Sequence, residues 1–126
     1  MKKQNLKPAV CIFSVDKYYR TDDRNHEYRR WVVRQLERND IPYKIVSGKY
    51  TGIAEVSYVV LAKYLDYVEQ FTYESDQDGF LFVHPDRTVD LIDVDGGAEE
   101  IGRLVPAHKK PKGDYTLDSG QYYEVI

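Results

Sequence analysis

Apolar and polar positions alternate along this chain with two different periods, which predict strands and helices in a mixed order. A nearly continuous apolar run at 8–15 predicts a first strand in the middle of a sheet. β-Branched and aromatic runs predict two more strands, at 43–46 and 56–60. Beyond residue 79, turn residues separate short apolar runs, which predict an antiparallel meander and a closing hairpin at 80–84, 89–94, 98–105, 115–117 and 121–126.

Two segments follow the helical period instead. The segment 23–38 can be capped by Thr21 or Asp22, and its apolar face consists of Tyr28, Trp31, Val32, Gln35 and Leu36. The segment from about 61 to 74 carries a second such face, made of Leu61, Tyr64, Leu65, Val68 and Phe71. We therefore predict one α+β domain over residues 1–126, with a mostly antiparallel sheet and two helices packed on one face.

The stretch from Gly48 to Tyr58 is the most distinctive part of the pattern. Gly48 and Gly52 bracket Tyr50, and Glu55 and Ser57 follow at the start of the next β-type run. Glycine serves where the backbone needs positive φ or close approach, so the spacing predicts a shaped crossing between two strands. The residues alone leave open whether it is a ligand site or a turn required by the fold.

Arg24 and Asn25 form a second informative place. They lie one helical turn before Tyr28, in line with the apolar face of the first helix. We therefore expect both polar side chains to point toward the protein body rather than into open solvent.

Composition narrows the function classes. The net charge is −3 among 126 residues, which argues against coating of duplex DNA, since that needs a basic face with many phosphate contacts. The single cysteine, Cys11, excludes an intrachain disulfide framework and a multi-cysteine zinc site, and its apolar neighbours predict a buried, inert thiol. Met1 is followed by polar residues rather than a signal-peptide pattern, and no apolar run reaches membrane-spanning length. A cytoplasmic protein that does not enter a membrane is expected.

Candidate chemistry is sparse. The chain has no phosphate-cradling glycine motif and no recognisable nucleophile–base pattern. Asp95-Gly96-Gly97 fits a hairpin turn better than a calcium loop, so neither a metal site nor a cofactor is predicted. Glu55 and Glu74 with Arg24 form the best candidate polar cluster, either as a general acid or base or, as we favour, as a structural pair. Enzymatic activity is left open, with the balance toward none.

Arginines and tyrosines interleave around the first helix. Guanidinium groups grip phosphate and tyrosine rings stack on bases, which is the chemistry of a nucleotide pocket. The alternative is a solvated helix face. The candidate ligand-binding residues are Tyr19, Arg20, Arg24, Asn25, Arg30, Tyr50, Glu55 and Ser57.

Several short motifs occur in a suggestive order: Arg24-Asn25 at a helix start, Gly48-x-Tyr50-x-Gly52-x-x-Glu55-x-Ser57, Tyr73-Glu74-Ser75, Gly102, Tyr115-Thr116, and the aromatic finish at 121–126. This order resembles a family of small phage-encoded accessory proteins of uncharacterised function. Family members often carry glutamine where this chain has Tyr73. The resemblance implies phage origin and an accessory role during infection, of the kind that counters host defence in the host cytoplasm.

The leading hypothesis is a non-catalytic counter-defence protein that sequesters a small anionic signal, such as a cyclic nucleotide. In it, Arg20, Arg24 and Arg30 would hold phosphate. The alternative is an inhibitor that binds and blocks a host or defence protein through a tyrosine-rich surface, as the 12 tyrosines suggest. A carboxylate-dependent enzyme ranks third, and a homo-oligomer is possible.

Overall fold

The computed structural model describes residues 8–126. The expectation that no signal peptide follows Met1 concerns residues that lie outside this range. Eight strands and two helices follow in the order β1 (Val10–Phe13), α1 (Asp22–Arg38), β2 (Lys44–Tyr50), β3 (Ile53–Leu61), α2 (Leu65–Glu74), β4 (Gly79–Val83), β5 (Thr88–Asp93), β6 (Ala98–Ala107), β7 (Tyr115–Asp118) and β8 (Gln121–Val125). A short 3₁₀ turn, Ala62–Tyr64, links β3 to α2.

The strands close into an antiparallel barrel in the order β1-β3-β2-β7-β8-β6-β5-β4. β1 pairs with β3 on one side and with β4 on the other, which completes the ring. The prediction of a sheet with two helices on one face is therefore wrong. The terminal β7–β8 hairpin joins β2 to β6, and among the strands of residues 8–126 this closure leaves no sheet edge unpaired.

Side chains alternate between the barrel interior and its outer surface, as the pleat requires. On β1, Ile12 faces inward, opposite Val59 of β3 and Leu81 of β4. An interior cluster fills part of the barrel, and its buried members are Ile12, Val83 and Val89, with Val10, Val59, Leu81, Leu104 and Val125 packed around them.

The larger core lies outside the barrel wall, under the helices. Cys11 and Phe13 on β1 share it with Val32 and Leu36 of α1 and Phe71 of α2. Burial and the nearby charge of Glu69 raise the pKa of the Cys11 thiol to about 12. The prediction of a buried thiol is confirmed, because Cys11 is 0% exposed.

Both helices lie close to where their patterns place them. Thr21 Oγ1 accepts a hydrogen bond from the Arg24 N–H at 3.2 Å and caps α1. α2 begins at Leu65 rather than near residue 61, because β3 continues through Leu61. Across residues 8–126, neither helix has the length and apolar character that crossing a membrane would need.

Candidate functional site

A cleft of about 400 Å³ opens at one end of the barrel. Its walls come from the end of β1, the turn between β2 and β3, the start of β4 and the end of β5. The inward-facing residues of these strands line it, so the cleft is the open mouth of the barrel interior. The cluster around Ile12, Val83 and Val89 fills the barrel interior further from the mouth.

The turn at the tip of β2 and β3 contributes one wall. Thr51 and Gly52 both have positive φ, at 51° and 83°. Positive φ at two consecutive central residues is what a tight two-residue hairpin turn requires. The stretch predicted as a shaped crossing therefore consists of the ends of β2 and β3 and the tight turn between them, and it borders the cleft.

Tyr50 folds back into the barrel over Gly48. A Cβ atom at Gly48 would lie 2.7 Å from Cε2 and 2.8 Å from Oη of Tyr50, so only glycine leaves room for the ring. Tyr50 Oη lies 2.5 Å from Thr116 Oγ1 on β7. Burial raises the pKa of Tyr50, and neighbouring Thr116 and Ser57 act in the opposite sense. The phenol is therefore neutral at neutral pH, and its hydrogen bond to Thr116 fixes the position of the ring.

Glu55 faces the same interior, since it pairs directly with Gly48 across the β2–β3 ladder. Burial, followed by the negative charge of Asp16, raises its pKa, while the Ser14 hydroxyl and Lys17 act in the opposite sense. Ser57 lies two residues further along the same face and is only 2% exposed. Tyr50, Glu55 and Ser57 therefore line one cleft.

Asp16 lines the cleft and links it to α1 through an ion pair with Arg29. Its carboxylate accepts two hydrogen bonds from Arg29, from Nε and Nη2, each at 2.7 Å. A third comes from the backbone N–H of Val56 at 3.0 Å. This hydrogen bonding raises the pKa of Arg29. Asp16 was not among the predicted site residues, although its position directly after an apolar strand was a usable signal.

Arg20 and Asn25 hold the segment 15–20 that walls the cleft. Arg20 Nη1 donates to the Val15 carbonyl at 2.6 Å, and Nη2 donates to the Ser75 carbonyl. Asn25 accepts from the Lys17 N–H at 3.0 Å and donates to the Lys17 carbonyl at 2.9 Å. Both side chains point toward the protein body. The predicted inward direction is thus confirmed for Asn25, but it is wrong for Arg24, which is exposed and pairs with Glu27 on the outer face of the helix.

The remaining predicted residues lie elsewhere. Tyr19 is 64% exposed and packs edge-on against Tyr18 at 5.4 Å between ring centroids. Arg24 and Arg30 line a second groove, between α1 and the end of α2, together with Glu74. The predicted cluster of Arg24, Glu55 and Glu74 is therefore divided between two sites.

The cleft contains more acid than base. Four carboxylate residues and one ammonium group are among the residues that line it: Asp16, Glu55, Asp78, Asp93 and Lys17. No group of three or more histidine, cysteine, aspartate or glutamate side chains within residues 8–126 is placed to hold a metal ion.

Comparison of the chain with protein-family models and with curated proteins finds no match. The function therefore has to be argued from the geometry of the cleft and the groove.

Proposed function

We propose that this protein is a non-catalytic binder of a small molecule, which enters the mouth of the barrel. The observation that carries the proposal is the convergence of Tyr50, Glu55 and Ser57 on a cleft of about 400 Å³. Small eight-stranded barrels hold single small ligands in this way, and polar groups with shifted pKa values inside a cleft are typical of binding sites.

The charges of the cleft favour a ligand that is neutral or cationic and carries hydrogen-bond donors. Arg29 neutralises Asp16, whereas Glu55 has no basic partner within ion-pair distance among the described residues. An amine, an amidine or the donor edge of a nucleobase would give Glu55 the partner it lacks. The arginines on which the hypothesis of an anionic signal rests do not line this cleft, so the cleft itself does not favour a phosphate group.

Binding fits the cleft better than catalysis does. Ser14 and Ser57 are buried serines that line the cleft, and none of the three histidines lines it to serve as a base. Glu55 and Tyr50 have raised pKa values and are suited to accept or donate hydrogen bonds to a bound molecule. Sequestration of a signal molecule in the host cytoplasm during phage infection is the biological role we propose, and the sequence resemblance is its support.

The test is titration of the protein with paired small molecules, followed by backbone amide NMR and calorimetry. Agmatine and adenosine represent cationic and neutral donors, and AMP adds a phosphate to the same base. We expect shifts at Tyr50, Glu55 and Ser57 with a donor ligand, and roughly tenfold weaker binding in Glu55→Gln.

Glu100→Gln, which removes an exposed carboxylate from β6, is the control and should bind as the wild type does. Screening of a broader metabolite library covers donor groups that these probes lack. If no library member shifts the cleft residues at millimolar concentration, or if Glu55→Gln and Tyr50→Phe both bind unchanged, the proposal fails.

A second candidate is the blocking of a partner protein. Tyr18, which lines the cleft, is 76% exposed, and it packs against the neighbouring Tyr19, which is 64% exposed. Exposed aromatic side chains are enriched in binding interfaces. Cross-linking in host lysate, comparing wild type with a Tyr18→Ala/Tyr19→Ala variant, tests this candidate, because a specific partner should be lost from the variant while small-molecule binding in the cleft persists.

A further inference from the structure

The groove between α1 and the end of α2 has a composition that the cleft does not share. It measures about 700 Å³ and is lined by Arg24, Glu27, Tyr28, Arg30, Trp31, Arg34 and Glu74. None of these residues lines the barrel mouth. Three guanidinium groups and two aromatic side chains thus share one concave surface, on a protein whose net charge is −3.

The arginines of the groove differ in their partners. Arg24 Nη1 forms an ion pair with Glu27 Oε2 at 2.7 Å, which neutralises both charges. Arg30 and Arg34 have no carboxylate within ion-pair distance in the part of the chain that the structure describes. Both are exposed, so their donors are available to a ligand.

Arg30 and Arg34 are also neighbours on the helix surface. Their i, i+4 spacing places the two Cβ atoms roughly 5–6 Å apart, and like charges at this spacing repel each other. A phosphate group between them would accept hydrogen bonds from both guanidinium groups and would remove the repulsion. The regular helix backbone fixes the spacing of the two Cβ atoms before a ligand arrives.

Trp31 and Tyr28 supply the apolar part of the same groove. Trp31 packs edge-on against Phe71 at 5.8 Å and against Tyr28 at 6.3 Å, so its ring is fixed by the core and is only half-buried. An aromatic side chain beside arginines provides a stacking surface for a base next to a phosphate site.

We infer that this groove binds a small phosphate-bearing ligand of the nucleotide type, with Arg30 and Arg34 on the phosphate and Trp31 beside the base. A long nucleic acid is disfavoured because the acidic remainder of the protein repels a polyanion. Glu74 is the opposing charge at the α2 side of the groove. It accepts a hydrogen bond from Gln70 at 3.3 Å and has no basic partner among the described residues.

Trp31 is the only tryptophan in the chain, so its fluorescence reports directly on this groove. The probes are inorganic pyrophosphate, AMP, adenosine and a single-stranded oligonucleotide, and calorimetry on the same samples detects binding that leaves the fluorescence unchanged. We expect saturable, salt-sensitive binding of AMP and weaker binding of pyrophosphate, with no groove signal from adenosine. Arg30→Gln and Arg34→Gln should each weaken AMP binding by roughly tenfold, and Glu74→Gln should strengthen it.

Arg38→Gln is the matched control, because Arg38 continues the same helical row but does not line the groove. It should bind AMP as the wild type does. The inference is overturned if neither AMP nor pyrophosphate binds at millimolar concentration. It is also overturned if Arg30→Gln binds AMP as tightly as the wild type does. Binding of the oligonucleotide alone would also overturn it and would point to a nucleic-acid surface. All four variants alter exposed groups outside the barrel, so binding of a ligand in the cleft should be unchanged in each of them. Failure of this inference can therefore be distinguished from failure of the proposed function.

Discussion

Gly48 and the ring of Tyr50 depend on each other inside the barrel. A Cβ atom at residue 48 would lie 2.7 Å from the Tyr50 ring and 2.7 Å from the backbone carbonyl oxygen of Tyr115. The ring of Tyr50 thus occupies the space that a side chain at residue 48, two positions earlier on the same strand, would need. The Gly-x-Tyr spacing in the sequence places the two residues on the same face of β2, where this contact forms.

Gly48→Ala is therefore expected to destabilise the protein by about 1–3 kcal/mol, because it overpacks the barrel interior. The added methyl group would also push Tyr50 Oη away from Thr116. Urea denaturation measures the loss. Gly113→Ala is the control, since a Cβ atom at that position meets nothing within 4 Å. Equal stability of the two variants would contradict the close packing of Tyr50 over Gly48.

The helices could be predicted because their signals are local. For α1, the cap at Thr21 and the apolar face around Trp31, Val32 and Leu36 lie within one short segment. The strand segments were likewise readable from their residues. Closure of the barrel was not, because it depends on pairings such as Gly48 with Thr116, which join distant parts of the chain and leave no local pattern.

Some residues of the candidate site could likewise be predicted from local patterns, and others could not. Glycine spacing drew attention to Tyr50, Glu55 and Ser57, which the structure brings together. The helix period predicted an inward direction for both Arg24 and Asn25, which is right for Asn25 and wrong for Arg24, whose exposed side chain pairs with Glu27. That period also cannot distinguish a ligand from a backbone carbonyl as the partner of Asn25. Asp16 was missed because its importance comes from Arg29, which lies on a different element.

The Asp16–Arg29 pair makes a sharp stability prediction. Asp16→Asn leaves the Arg29 guanidinium without its carboxylate and weakens the bond to the Val56 N–H, so a loss of about 3 kcal/mol is expected. A double-mutant cycle with Arg29→Gln isolates the interaction itself. Substituting both residues should cost less than the sum of the two single changes. Strict additivity in urea denaturation would show that the pair is not coupled.

Glu55 predicts how stability changes with pH. In the folded protein, burial is the main cause that raises the pKa of Glu55 above its ordinary value of 4.5, so folding favours the protonated carboxyl. This contribution to stability is fully present below the unfolded pKa and is lost as pH rises through the folded pKa. Glu55→Gln removes the ionisable group, and its stability relative to wild type should therefore increase as the pH rises above 4.5.

Urea denaturation of both proteins at several pH values measures this difference. Glu100→Gln on β6 is the matched control and should show no such trend. A gain that is the same at every pH would mean that the amide improves packing rather than removing a buried charge. A ligand that brings positive charge to Glu55 should reverse the trend, because it stabilises the ionised carboxylate.

Arg20 separates a role in holding the fold from a role in binding a ligand. Its guanidinium bridges the carbonyls of Val15 and Ser75 and lies 3.8 Å from the centroid of the Tyr28 ring. A lysine ammonium cannot reproduce this planar fork, so Arg20→Lys is expected to cost about 2 kcal/mol in urea denaturation even though the charge is kept. Arg38→Lys, an exposed change on α1, should cost little. If Arg20→Lys instead leaves stability unchanged and abolishes binding of a small ligand, Arg20 belongs to the ligand site, as the arginine–tyrosine pattern of the sequence first suggested.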